Sequence, residues 1–223
     1  GVLWLPSMAL SAEYQLDIRK ERVNITGKAM ERVTVNHSLP APTLYWTEGE
    51  DVVIHVTNHM DEPSSVHWHG ILVPGYMDGV KDLNGYPGIE PGQTFTYRFT
   101  VRQNGTYWYH SHTNGQEQDG LYGALIIRPK GVDPFKADRE AVVMFSHFSD
   151  ETADHILGNL KMSSDYYNHA RRTVGDFFRD VRDKGFGLAW QSASDWGAMR
   201  MSQTDLADVS GYTFLVNGKT PQQ

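Results

Sequence analysis

Apolar and polar positions along this chain alternate with the period of a β-protein. In residues 51–57, Val52, Ile54 and Val56 fall on one side and Val53, His55 and Thr57 on the other, as in a half-buried strand. Phe95, Tyr97, Phe99 and Val101 alternate with Thr94, Thr96, Arg98 and Thr100 in the clearest strand of the sequence. Residues 14–18 repeat the pattern, Thr34 and Val35 lead into a turn at Asn36-His37-Ser38, and 123–127 reads as a closing strand. Asn104-Gly105 is a hairpin signal that would return the chain directly into residues 106–112. Residues 74–92, rich in glycine and proline, read as a long loop. Short strands separated by turn signals predict a Greek-key sandwich or barrel over residues 13–130.

The pattern changes after a linker at 131–140. Residues 141–145 and 212–216 are strand-like, and between them, at about 150–184, the spacing turns helical. Ser163 or Ser164 is the expected N-cap, Tyr166, Ala170, Val174, Phe177, Phe178 and Val181 recur at helical spacing, and Gly185 and Gly187 end the run. Residues 141–223 therefore read as a second β-domain with a helical insertion. We expect Phe177 and Phe178 to pack the insertion on the first domain, with a lid over a substrate pocket as the alternative. The strand at 212–216 has a turn signal at Asn217-Gly218 and no returning strand, so this domain is expected to be incomplete. Residues 1–12, apolar and ending in small residues, read as the back half of an export signal, with a buried first strand as the alternative.

Composition removes several function classes. The net charge of −7 disfavours nucleic acid as a partner, which wants a basic face. No run of about 18 apolar residues predicts a membrane-spanning helix. The 223 residues contain no cysteine, which excludes disulfides, thiolate catalysis and thiolate-ligated metal within them.

What remains is imidazole. His67-Trp68-His69 and His110-Ser111-His112 are two His-x-His pairs in extended segments. Residues i and i+2 of a strand share a face, so each pair can grip one ion or two adjacent ones. Neighbouring strands would then bring four imidazoles together. Imidazole suits Zn, Cu, Fe and Ni; three histidines around zinc would activate water, whereas four with no carboxylate or thiolate lean towards copper. Trp68, Trp108 and Tyr109 alternate with the histidines and are expected to face away from the metal. His37, His55, His59, His147, His155 and His169 are isolated, and a lone histidine is more often a hydrogen-bonded side chain than a ligand.

These pairs, with Trp108-Tyr109 before the second, resemble the first half of the trinuclear copper signature of multicopper oxidases. Pro40-Ala41-Pro42-Thr43, Asp78-Gly79-Val80, the loop at 87–92, Gly120-Leu121-Tyr122-Gly123 and Leu125-Ile126-Ile127 match the same frame. Residues 164–168, 173–178 and 206–211 resemble the bacterial copper-resistance branch of that family. The resemblance implies that residues 13–130 form a cupredoxin-like domain and that 141–223 begin a second one. It implies that His67 ligates a type 2 copper, that His69 and His110 share one type 3 copper, and that His112 binds the other. Asp78 would assist proton delivery to bound oxygen, its alternative being an ordinary turn residue before Gly79. His37 stands where the family's turn has glycine, and a left-handed residue there is strained.

The implied function is one part of a periplasmic multicopper oxidase in copper resistance. O2 would be reduced at the cluster while a one-electron donor, Cu(I) or a phenol, is oxidised at a type 1 copper whose cysteine these residues lack. The remaining C-terminal domains of the same oxidase are the implied partner. A stand-alone copper-sequestering domain is the alternative, disfavoured by methionines that are scattered rather than clustered.

Overall fold

The computed structural model describes residues 12–163, 166–167, 173–198, 209 and 211–223, without the side chains of 196–198. The chain divides into two units, one of residues up to 153 with 213–223 and one of residues 154–212.

The first unit is mainly β. Its first sheet is ordered β2 (Ala29–Val35), β1 (Ala12–Asn24), β4 (Asp51–Asn58), β6 (Thr94–Thr100). β1 runs parallel to β4, and the other two pairings are antiparallel. The second sheet is ordered β3 (Ala41–Thr47), β8 (Tyr122–Arg128), β7 (Gly105–His110), β5 (His67–His69). β3 runs parallel to β8, and the rest is antiparallel. Both sheets are open, so the architecture is a sandwich rather than a closed barrel.

The alternating positions form the core between the sheets. Leu16, Ile18, Ile54, Val56, Tyr97 and Phe99 of the first sheet meet Trp46, Trp68, Tyr109, Leu125 and Ile127 of the second in one buried cluster. Each fully buried apolar side chain contributes roughly 1.5–3 kcal/mol. Trp68 lies at its centre, 5.3 Å from Trp46 and 5.2 Å from Tyr97 between ring centroids. The strand that carries the first histidine pair is thereby nailed to the core by its middle residue.

Asn104-Gly105 does not close a hairpin. β6 pairs with β4 in one sheet and β7 with β8 and β5 in the other, so residues 101–104 cross between sheets. The Val101 N–H donates to the Glu50 carbonyl, and the Asn104 amide donates to Glu48. These side bonds turn the dipeptide into a corner. β3, not expected from the sequence, is an edge strand, where the missing N–H of Pro42 is tolerated.

The expected strand at 212–216 is β10 (Thr213–Val216), which pairs antiparallel with β9 (Phe145–Phe148). Buried Arg32 on β2 anchors the segment after β9 by donating to the carbonyls of Ser149 and Glu151, with its guanidinium 4.9 Å from the Phe148 ring centre.

The second unit contains α1 (Ala153–Met162), which begins one residue before the division, α2 (Val174–Lys184) and α3 (Phe186–Ala198). The N-cap of α2 is Thr173, not Ser163 or Ser164. Thr173 accepts from the Asp176 N–H and Asp176 reaches back, a reciprocal box that outcompetes an uncapped start. Gly185, at φ 85°, ends α2, but Gly187 lies inside α3. Phe177 packs on Phe178, Phe186 and Trp190 within these helices, and Phe178 is 65 % exposed, so the two phenylalanines serve the α2–α3 hairpin. Of residues 1–12, read above as an export signal, Ala12 opens β1 and the rest, like parts of the stretches at 164–168 and 206–211, lie outside the described residues.

Candidate metal centre

β5 and β7 are hydrogen-bonded neighbours with His67 opposite His110 and His69 opposite Trp108. The pleat therefore puts His67, His69, His110 and Trp108 on one face, with Trp68 and Tyr109 on the other, inside the core. Trp108 does not face away as expected, because it stands two residues from His110. Its ring stacks on His110 at 4.2 Å and 19°, and lies 4.9 Å from His69.

The four imidazoles converge. Ring centroids are 5.6 Å apart for His67–His69, 5.4 Å for His67–His110 and for His69–His110, and 5.7 Å for His67–His112. Donor nitrogens of His67, His69 and His110 all lie within 4.8 Å of one another. His112 is placed differently: β7 ends at His110, and His112 follows on a loop, its ring 6.2 Å from that of His110.

Two of the rings, His67 and His110, are held by bonds at Nδ1. His67 Nδ1–H donates to the Asp78 carbonyl at 2.7 Å, which leaves Nε2 as the nitrogen with a free lone pair. The carboxylate of Asp78 is farther, 3.6 Å from that nitrogen. His110 Nδ1 lies 2.8 Å from the Ser111 carbonyl and 2.8 Å from Glu117 Oε2, so its Nε2 is free as well. That Nε2 is 3.2 Å from His69 Nδ1. Two imidazole nitrogens bound to one ion at ~2.0–2.1 Å and a near-tetrahedral angle stand about 3.3 Å apart, so this pair fits a shared ion.

The loops hold the frame. The His112 N–H donates to Ser65 Oγ at 3.0 Å, and Thr113 Oγ1 donates to the same oxygen. Buried Gln116 accepts from Ser64 and Ser111 hydroxyls and donates to the Pro63 carbonyl. Asp78 caps a short 3-10 turn (Gly75–Met77), and Gly79, at φ +80°, lets the loop press against Val66.

Electrostatics separates the rings. Burial and the neighbouring imidazoles of His110 and His67 hold His69 below the usual histidine range, which favours the neutral ligand form. Burial also presses His110 down, but the Glu117 carboxylate and the Ser111 carbonyl outweigh it and its pKa is raised. Glu117 is lowered in turn by its bond to His110. Glu117 was not anticipated: it sits in a polar loop with no period to single it out.

Three of the isolated histidines are engaged away from the cluster. His37 pairs with Glu21, His55 with Glu13 and Thr96, and His59 with Asp17. His169 lies outside the described residues. An all-imidazole donor set with rings a few ångströms apart suits a late first-row metal rather than Mg or Ca.

A family model described as multicopper oxidase matches residues 17–131. The chain is 48 % identical over 218 residues to a copper resistance protein A homolog of Pseudomonas syringae pv. tomato, a match covering 97 % of this chain and 37 % of that protein. It is 49 % identical over 211 residues to copper resistance protein A of Escherichia coli, covering 94 % of this chain and 35 % of that protein. Among solved structures, the blue copper oxidase of Nitrosomonas europaea superposes with a TM-score of 0.59 at 33 % identity, covering 64 % of this chain and 49 % of that one. The chain thus spans little more than a third of the length of the curated relatives it matches.

Proposed function

This chain belongs to the multicopper oxidase family, in its bacterial copper-resistance branch, and on that premise we propose that it supplies half of a trinuclear copper site for O2 reduction. The observation that carries the reading is the convergence of four imidazoles from two adjoining strand ends, with His69 Nδ1 and His110 Nε2 3.2 Å apart. His67 would hold a type 2 copper, His69 and His110 one type 3 copper, and His112 the second. When bound, the cluster supplies the redox chemistry that takes O2 to water.

The chain's own residues prepare that chemistry. The Asp78 carbonyl sets the His67 tautomer, and Trp68 and Tyr109 anchor the strands behind the ligands. Asp78, with a side chain 27 % exposed beside His67, would pass protons, which O2 reduction consumes. Electrons would come from a one-electron donor, Cu(I) or a phenol. They would arrive through a type 1 copper on the remaining C-terminal domains, since these residues hold no cysteine. The names of the relatives support a role in copper resistance, and the apolar residues 1–12 support an exported, periplasmic location.

Copper loading tests the reading. The 223-residue chain should bind Cu(II) with the electron paramagnetic resonance signature of imidazole nitrogen ligands, and H67A/H110A should abolish it. Tight copper binding that survives loss of both histidines would overturn the assignment. In the oxidase with its remaining domains, D78N should slow O2 reduction at unchanged copper content; an unchanged rate would remove Asp78 from proton delivery.

A further inference from the structure

Two carboxylates stand beside the cluster, and the closer one is the less expected. Glu117 Oε2 lies 2.8 Å from His110 Nδ1, whereas Asp78 Oδ1 is 3.6 Å from His67 Nδ1. Glu117 meets the ring on the side away from Nε2, and it does not belong to the group of donor atoms that converge within 4.8 Å. Its geometry is that of a partner to a ligand rather than of a ligand.

We infer that Glu117 is a positioning residue: it accepts the Nδ1–H of His110, holds the ring with Nε2 turned towards the cluster, and makes that nitrogen a stronger donor. The inference rests on the copper reading above. The Ser111 carbonyl, also 2.8 Å from Nδ1, already selects the tautomer. A neutral carbonyl draws the proton weakly, however, and a carboxylate does so through a charge-assisted bond about twice as strong. Electron density moved onto the ring raises its basicity at Nε2. Trp108 completes the device: stacked at 4.2 Å and 19°, it fixes the ring plane, so the carboxylate meets the ring at its edge.

Glu117 can keep its charge there. Its side chain is 49 % exposed and borders a cavity of about 500 Å³ with Trp108, Tyr122, Phe145 and His147. The carboxylate therefore stays hydrated on one side while it bonds a buried imidazole on the other, which avoids the penalty of a fully buried ion pair.

The test uses the 15N-labelled full chain, chelator-treated for NMR and then titrated with Cu(II) against a competing chelator. In the wild type the His110 proton sits on Nδ1 and resonates downfield. In E117Q it stays on Nδ1 through Ser111 but moves upfield, and Cu(II) affinity falls about 10–100-fold, the usual effect of losing such a partner. E117D recovers part of both. A merely structural role would lower thermal stability without moving the proton resonance. A wild-type His110 protonated on Nε2, or E117Q with unchanged resonance or unchanged affinity, would overturn the inference. If the wild-type chain binds no copper tightly, the functional reading falls, and the proton resonance alone decides the place of Glu117.

Discussion

Replacing Gly79 by alanine probes how a loop with no ligand of its own governs the metal donors. Gly79 has φ +80°, and a Cβ there would stand 1.8 Å from the Val66 carbonyl oxygen and 3.1 Å from His67 Cα. A carbon–oxygen contact relaxes at about 3.3 Å, so loop and strand must separate by about 1.5 Å. The left-handed backbone costs an L-residue about 1–2 kcal/mol, and overpacking adds roughly 1–3 kcal/mol. G79A should therefore lose about 2–5 kcal/mol, a large part of the ~5–15 kcal/mol that holds a typical domain folded. The same displacement lifts the Asp78 carbonyl off His67 Nδ1, now 2.7 Å away, and frees the ring to change tautomer. Copper affinity should then fall about 10–100-fold. Gly92 is the control: its φ is +73° and nothing lies within 4 Å of its Cβ position. G92A should show the backbone penalty alone, about 1–2 kcal/mol, with native copper affinity. Denaturant unfolding measures the first quantity and chelator competition the second. Equal stability losses in the two variants, with native copper affinity in G79A, would refute the reasoning.

His37 sits at φ 62° beside Asn36 at φ 49°, and its bond to Glu21 is exposed and worth little. H37G should raise stability by about 0.5–1 kcal/mol, or roughly 1–4 °C in Tm; a lower Tm would show that the Glu21 bond outweighs the strain. Burial raises three tyrosines, Tyr86 to about 12 and Tyr97 and Tyr109 well above the usual value. Folded values above the unfolded value near 10 mean that their stabilisation is complete below pH ~10 and is lost as pH rises through the folded values. Tyrosinate absorbance of all three should thus appear together with unfolding, and their ionisation near pH ~10 in a still-native chain would contradict the burial. The copper-loaded 223-residue chain should consume no O2 with phenols or Cu(I), because it offers no cysteine to accept electrons; brisk O2 uptake would defeat that expectation.

The fold was readable wherever one face of a strand is buried. Residues 51–57 and 94–100 alternate because one side faces Trp46 and Trp68 and the other faces solvent, and both are strands. Reading failed where local chemistry was right but its tertiary use differed. Asn104-Gly105 is a turn signal, yet Val101 bonds the Glu50 carbonyl, Asn104 bonds Glu48, and the chain passes between sheets there. β3 was not among the expected strands; its Pro42 is permitted because the strand lies at the sheet edge. Helical spacing across 150–184 was sensed, but the Thr173–Asp176 box, not the apolar period, sets where α2 starts.

The candidate site divides along the same line. The direction of a side chain on a strand follows from counting by two, and that rule alone brings His67, His69 and His110 to one face. Applied strictly, it also puts Trp108 there, and the stack on His110 is what it predicts. The rule stops where the strand does: His112 lies past the end of β7, and only Ser65 and Gln116, from sequence more than forty residues away or inside a polar loop, settle its place. Asp78 and Glu117 act on the rings from loops too, and no period reaches them. Donor identity is therefore written in strand spacing, while tautomer, ring plane and basicity are written in loops. It follows that substitutions in those loops should change metal affinity without changing the ligand set, and that a ligand motif read alone cannot rank two such chains by how tightly they hold the ion.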